Sequence, residues 1–394
     1  MVDNKLETLF SRLRRFPDVE AANLQAWDAT DRLLLDTAVE LRSAGRLAPG
    51  GRTAVVGDRY GALTLGLLAR GWQNDGADTG PVRVHEDLIT GERALRNNAE
   101  ATGLNAGFEQ LPLAEALDGA SLVLLQLPRS LAELEEIADA VARHAAPDVM
   151  LLAGGRVKHM SLGMNAVLER YFGEVQPQLA RQKSRILLAR VPKPAAGAPP
   201  FPVTEWNAGL GLTVCARGAV FAGTGLDIGT RFLLDFLPQM PSARHAVDLG
   251  CGTGILAALY ARSHPQARVT ATDRSAAAVE SAAATARAND LDRQIEVLHD
   301  DAMSTLPDTS AGLVLLNPPF HLGAAVHAGA GIKLIEAAAR VLVPGGELWT
   351  VFNSHLQYRP ALERLVGPTR EAGRNPKFTV TVSVRQPRRP APQG

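Results

Sequence analysis

From residue 245 to 384, short apolar runs alternate with longer stretches that place apolar side chains at every third or fourth position. Residues 245–249 (HAVDL), 268–273 (RVTATD), 295–300 (IEVLHD), 313–317 (LVLLN), 347–352 (ELWTVF) and 378–384 (FTVTVSV) read as strands. Between them, 255–263 (ILAALYARS), 276–290 (AAAVESAAATARAND) and 333–342 (KLIEAAARVL) carry helical spacing. Strands alternating with helices at this interval predict βαβ units and a mostly parallel, doubly wound α/β sheet. The first half of the chain alternates in the same way.

The pattern breaks at residues 191–202, VPKPAAGAPPFP, which hold five prolines and one glycine. Such a stretch predicts an extended linker. It divides the chain into segments 1–190 and 203–384, followed by a Pro/Arg tail at 385–394. The two segments also resemble each other. With an offset of 193, TAVVGDRYGAL (53–63) lies over AVDLGCGTGIL (246–256), so Gly57 falls on Gly250 and Gly61 on Gly254. SLVLLQLPRS (121–130) lies over GLVLLNPPFH (312–321), which sets Gln126 on Asn317. LARQKSRILL, near 180–188, echoes GRNPKFTVTV near the end. Three ordered matches predict two copies of one α/β fold.

Composition narrows the function classes. The 394 residues include only two cysteines, Cys215 and Cys251, without CxxC spacing. That argues against a zinc site or a disulfide framework and predicts a reducing cytoplasm. No apolar run reaches the roughly 18 residues that span a bilayer, and the opening MVDNKLETLFSRLRRF lacks the apolar core of a signal peptide. Net charge is zero, yet unevenly placed. Residues 1–153 hold 15 basic and 23 acidic side chains, a net of −8, and residues 154–193 hold eight basic and two acidic, a net of +6. The basic segment predicts a polyanion contact through Arg156, Lys158, Arg181, Lys183 and Arg185. A solvated surface is the bland alternative.

The candidate chemistry sits in the second copy. Asp248-Leu-Gly250-Cys-Gly252-Thr-Gly254 follows a strand and opens a helix, where glycine permits a tight turn and close approach of a cofactor to the backbone. Asp248 is positioned to engage the amino group of a methionyl moiety. Asp273 ends the next strand, where an acid accepts ribose hydroxyls. Asp301, in HDDAM, is a candidate for the adenine amino group, with Asp300 as an alternative and a helix cap as the structural one. Asn317-Pro318-Pro319-Phe320 follows LVLL, at the carboxyl end of a central strand. An Asn oxygen and a nearby carbonyl can accept both hydrogens of an exocyclic amino group. That holds its nitrogen toward an electrophilic methyl and stabilises the positive charge that develops. The prolines stiffen the loop, and Phe320 offers a stacking face for a base removed from its stack.

These residues follow the pattern of class I S-adenosylmethionine-dependent methyltransferases acting on planar amino groups. Tandem methyltransferase-like halves, FAGTGLDIGTRFLL before the glycine turn and NPPFH after it resemble the bacterial rRNA guanine-N2 methyltransferases. RFPDVEAANLQAWDATDRLLL, YGALTLGLLA, LPRSLAELE, LLAGGRVKHM and NPKFTV are similar to the branch acting on 23S rRNA, the large-subunit methyltransferase G branch. The resemblance covers roughly residues 8–384. It implies Rossmann-like domains, S-adenosyl-L-methionine as cofactor, rRNA as partner and no metal. It also implies cofactor contacts at Asp248, Gly250, Gly252, Gly254, Asp273 and Asp301. Gly225, Asp227 and Gly229 would cover the methionine end, and Asn317, Pro318 and Phe320 would form the catalytic loop. The first copy has Val55 for Asp248, Arg59 for Gly252, and Gln126, Leu127 and Arg129 for Asn317, Pro318 and Phe320. It is expected to be degenerate as a catalyst and to help hold RNA. Alternatives are the 16S rRNA branch, adenine N6 or glutamine N5 as the acceptor, a nicotinamide dehydrogenase, and a non-catalytic RNA-binding assembly factor.

Overall fold

A computed structural model describes residues 4–47, 50–72, 80–318 and 324–387. The chain divides into two compact units, Met1–Phe201 and Pro202–Gly394. The first opens with helices α1 (Asn4–Arg12) and α2 (Ala29–Ser43). Then follow β1 (Arg52–Val56), α3 (Ala62–Ala69), β2 (Val82–His85), α4 (Ile89–Thr102), β3 (Phe108–Gln110), α5 (Leu113–Leu117), β4 (Ala120–Gln126), α6 (Leu131–His144), β5 (Met150–Arg156), α7 (Leu162–Tyr171), β6 (Phe172–Pro177) and β7 (Ser184–Pro192). Its seven-stranded sheet has the order β3-β2-β1-β4-β5-β7-β6. The first five strands in that order are parallel; β7 runs antiparallel to both of its neighbours.

The second unit starts with a hairpin of β8 (Val203–Asn207) and β9 (Leu212–Ala216), then α8 (Ile228–Leu234). It continues through β10 (His245–Leu249), α9 (Ile255–Ser263), β11 (Arg268–Asp273), α10 (Ala276–Ala288), β12 (Ile295–His299), β13 (Ala311–Leu316), α11 (Ala324–Val341), β14 (Leu342–Asn353), α12 (Arg359–Leu365), β15 (Thr369–Arg374) and β16 (Phe378–Val384). The sheet order is β12-β11-β10-β13-β14-β16-β15, the order of the first unit strand for strand. β16 is antiparallel to β14, as β7 is to β5. The internal repeat therefore extends to topology.

Each sheet carries an apolar core on both faces, the reason its strands read as continuous apolar runs. In the second unit, one face packs Ala257, Tyr260, Leu313, Trp349 and Val380, and the other packs Val247, Val314, Leu316, Leu348 and Phe352. Two strand groups fall outside the sequence expectation. β15 (TREAGR) is an edge strand whose charged residues face solvent, so it lacks the apolar signature of a central strand. The β8–β9 hairpin is stitched to α10 by side chains, with Cys215 N–H donating to Thr285 Oγ1 at 3.0 Å and Arg217 N–H to Ser281 Oγ at 2.9 Å. At the proline-rich stretch, Val191 and Pro192 still belong to β7, because Pro192 pairs with Phe172 of β6.

Candidate active site

The glycine turn forms where the strand order reverses, the point at which open α/β sheets bind ligands. Leu249, the last residue of β10, pairs with Thr272 of β11 on one side and Leu316 of β13 on the other. Gly250, Asp273 and Asn317, each the next residue on its strand, are thereby brought side by side. Gly250, Gly252 and Gly254 have φ of 76, 54 and 75°, the left-handed region that side chains disfavour. A Cβ on Gly250 or Gly252 would meet nothing within 4 Å, whereas one on Gly254 would stand 3.0 Å from the Ala282 methyl. The first two glycines keep the floor of the crevice open. The third lets α9 approach α10.

Two carboxylates hold this turn. Asp273 Oδ2 accepts from Gly252 N–H at 3.1 Å and its Oδ1 from Ser275 N–H at 3.0 Å, which fixes its orientation at the end of β11. Asp248 is only 1% exposed, and its Oδ2 accepts from Ala257 N–H in α9 at 3.0 Å. Burial pushes its pKa up to about 7, and the Asp273 charge adds to that against the Ala257 hydrogen bond. Asp248 thus lies beneath the turn and ties β10 to α9.

The Asp300–Asp301 pair separates into two roles. Asp300 accepts from Asp301 N–H, Ser304 Oγ, Thr305 N–H and Thr305 Oγ1. Burial raises its pKa, but the hydrogen bonds led by Ser304 and Thr305 outweigh that and hold it below the usual carboxylate range. It is a loop staple. Asp301, 9% exposed, is ion-paired to Lys333 of α11.

Asn317 lies at the end of β13, and its Nδ2 donates to Asp227 Oδ2 and to Thr230 Oγ1, both at 2.9 Å. Asp227 caps α8, accepting from Thr230 N–H at 3.0 Å. Gly225 N–H donates to Ala222 O at 3.0 Å in the preceding turn. Gly229 is buried against the Asn317 amide. Asn317 Oδ1 is buried and, among the described residues, has no hydrogen-bond partner. Pro318 is buried next to it, and Pro319 and Phe320 lie outside the described residues. Thr230 belongs to no glycine or NPPF motif. A fourth match between the halves exposes it: WDATDRLLLD (27–36) matches LDIGTRFLLD (226–235), with Asp28 capping α2 as Asp227 caps α8.

The first unit repeats this arrangement with different residues at the carboxyl edge of its sheet. Gly57 and Gly61 keep left-handed φ of 78 and 85°. Val55 occupies the Asp248 position, but Asp58 takes over the helix: its oxygens accept from Leu63 N–H at 3.1 Å and Thr64 N–H at 2.7 Å. Glu86 follows β2 where Asp273 ends β11, and its Oε1 accepts from Leu88 N–H at 3.1 Å, as Asp273 Oδ1 does from Ser275. It is 6% exposed, and burial pushes its pKa up to about 8 against the Arg59 charge. Gln126 Nε2 donates to Asp31 Oδ1, the counterpart of the Asn317 contact with Thr230. Asp31 is raised to about 8, first by burial and then by Asp58.

Of the basic candidates, Arg156 and the backbone of Lys183 lie on neighbouring segments. Arg156 Nη1 donates to Gln182 O at 3.3 Å and Val157 N–H to Lys183 O at 2.9 Å. His159 is held below its ordinary pKa by partial desolvation and by the charges of Arg129, Lys158 and Arg156. Arg181 is paired with Glu40 at 3.1 Å, and Arg185 is half-buried on β7 with its Nε enclosed.

Residues 211–382 match the family model of the methyltransferase small domain, and residues 1–193 match that of the RLMG N-terminal domain. A ribosomal RNA large subunit methyltransferase G from Streptomyces coelicolor is 35% identical over 387 residues, 95% of this chain and 98% of that protein. One from Ectopseudomonas mendocina is 36% identical over 372 residues, 93% of this chain and 96% of that protein. A solved 16S rRNA N2 methyltransferase of T. thermophilus, in complex with AdoMet and guanosine, has the same fold at a TM-score of 0.71. It is 23% identical and aligns over 91% of this chain and 92% of that one.

Proposed function

The chain belongs to the ribosomal RNA large subunit methyltransferase G family, and from that premise we propose that its second unit methylates the exocyclic N2 of a guanine in 23S rRNA. The cofactor is S-adenosylmethionine, which when bound supplies an electrophilic methyl group. The residues present fit it. The open floor at Gly250 and Gly252 admits a ligand against the backbone, Asp273 is oriented for a ribose diol, and Asp248 sets the turn from below. Gly254 packs the turn; we assign Asp227 and Gly229 to the methionine end and Asp301 to the adenine amino group.

One observation carries the acceptor half of the reading: Asn317 is held by its Nδ2 while its Oδ1 lies buried without a partner among the described residues. An unpaired buried acceptor costs about 1–3 kcal/mol, a cost that a donor on the acceptor base relieves. Asn317 Oδ1 and a carbonyl of the following prolines accept the two amino hydrogens and turn the nitrogen lone pair outward. The same contacts favour positive charge on that nitrogen as the new bond forms. Phe320 stacks on the base. The surplus proton then passes to water, with no general base required.

Arg156, Lys158 and Lys183, with Arg129, form the phosphate-binding face of the first unit, and Arg181 and Arg185 flank it. Among the described residues no helix is long and apolar enough to cross a membrane; the enzyme works where rRNA is found, in the cytoplasm. Single-turnover transfer from labelled cofactor to rRNA tests the reading, with N2-methylguanosine as the expected product. N6-methyladenosine would keep the loop chemistry and overturn the acceptor. Product in 16S rather than 23S rRNA would reassign the branch.

A further inference from the structure

Among the described residues, the Asn317 amide is gripped through its nitrogen. Its Nδ2 reaches Asp227 Oδ2 and Thr230 Oγ1, and Asp227 Oδ2 is itself pinned by Thr230 N–H. The grip is thus built from the N-cap and first turn of α8. A carboxylate only accepts, so it pairs with the NH2 end of an amide and never with its oxygen. Of the two orientations open to a terminal amide, this grip selects the one that turns Oδ1 away from Asp227. Gly229 seals it from the helix side: a Cβ there would sit 3.0 Å from Asp227 Oδ2, 3.3 Å from Asn317 Oδ1 and 3.4 Å from Asn317 Nδ2.

We propose that Thr230, together with Asp227, is a positioning residue for methyl transfer, fixing the Asn317 amide so that Oδ1 meets the acceptor amino group. The inference rests on the role given to Asn317 above. In the opposite orientation an NH2 group would face the NH2 group of the base, donor against donor, and the nitrogen would not be held. The Asp227 charge behind Nδ2 also polarises the amide toward Oδ1, which favours positive charge on the acceptor nitrogen as it develops. The first unit carries a related grip without the threonine. Asp31 stands where Thr230 does, and Gln126 Nε2 reaches Asp31 Oδ1.

The test uses the full chain. Thr230→Val removes Oγ1 while keeping the branched shape, and Thr230→Ser keeps the hydroxyl. We expect Thr230→Val to lower kcat about tenfold, the rate equivalent of roughly one hydrogen bond. Cofactor Kd and RNA KM should stay within about twofold, since the contact touches neither ligand and acts in the transition state. Thr230→Ser should restore most of the rate. In an Asn317→Ala background, Thr230→Val should produce no further loss, because the partner through which it acts is gone. A wild-type kcat in Thr230→Val, or a fully additive loss in the double variant, would overturn the positioning role. Full-rate transfer by Asn317→Ala would instead remove the role of Asn317. A slow Asn317→Ala beside a full-rate Thr230→Val sinks the positioning role alone.

Discussion

The two units share a strand order and differ in what occupies the carboxyl edge of the sheet. In the second, Gly250 and Gly252 leave open space above the turn, and a half-buried Asp273 stands beside it. In the first, Asp58 folds inward onto α3, Arg59 replaces the middle glycine, and Glu86 is enclosed with its Oε2 unpaired among the described residues. The fold keeps the place of a ligand site, and a few edge residues decide whether that place stays open. Burial raises acids in both units, Asp248 of the second to about 7. Asp31 and Glu86 are raised to about 8 and Glu133 to about 7, each chiefly by desolvation.

The largest effect that would break or sharpen this contrast lies at the paired loop residues. Asn317→Ala should lower turnover by about 10²–10³, the usual loss when one preorganised hydrogen-bonding group is removed, and leave cofactor affinity nearly intact. Gln126→Ala, its counterpart, should leave turnover unchanged. Equal losses at the two positions in single-turnover assays would mean that both copies serve the reaction.

The next contrast concerns the cofactor. Calorimetry should find one S-adenosylmethionine site per chain. Asp273→Ala should weaken it by about 1.5–3 kcal/mol through lost charge-assisted hydrogen bonds, and Glu86→Gln should leave affinity unchanged. Two equivalent sites would erase the proposed asymmetry.

RNA affinity gives a graded test. Converting Arg156, Lys158 and Lys183 together to Glu should weaken rRNA binding and lower the slope of log affinity against log salt by about 0.7–0.9 per lost phosphate contact. Cofactor binding should be unaffected. A slope equal to that of the wild type would return this segment to a solvated surface.

The smallest expected effect is on stability against pH. Glu86 and Asp31 have folded pKa values above their unfolded ones, so the folded state binds more protons between about pH 4 and 8. Stability is then greatest at the acid end of that window and declines as pH rises through about 8. Thermal melts should show Tm falling by about a few degrees from pH 5 to 8.5, with a shallower fall in Glu86→Gln. A wild-type slope in that variant would place the proton elsewhere.

The parallel sheets were legible in the chain because strands buried on both faces need uninterrupted apolar runs, and the glycine and NPPF motifs were legible because each demands particular residues in a row. β15 was hidden because an exposed edge imposes no such demand. Glu86 was hidden for another reason. An offset of 193 serves the first turn, but loops of different length shift the register before the second acid. The sequence by itself therefore determined two copies of one α/β fold, the second with an intact glycine turn and amino-group loop. The tertiary structure decided which acid faces which partner. Asp300 became a staple and Asp301 the partner of Lys333, and Asp227 and Thr230 closed on Asn317 from about 90 positions upstream. Hydrogen-bond partners and burial depend on three-dimensional proximity, and a linear pattern records only what each residue requires of its immediate neighbours.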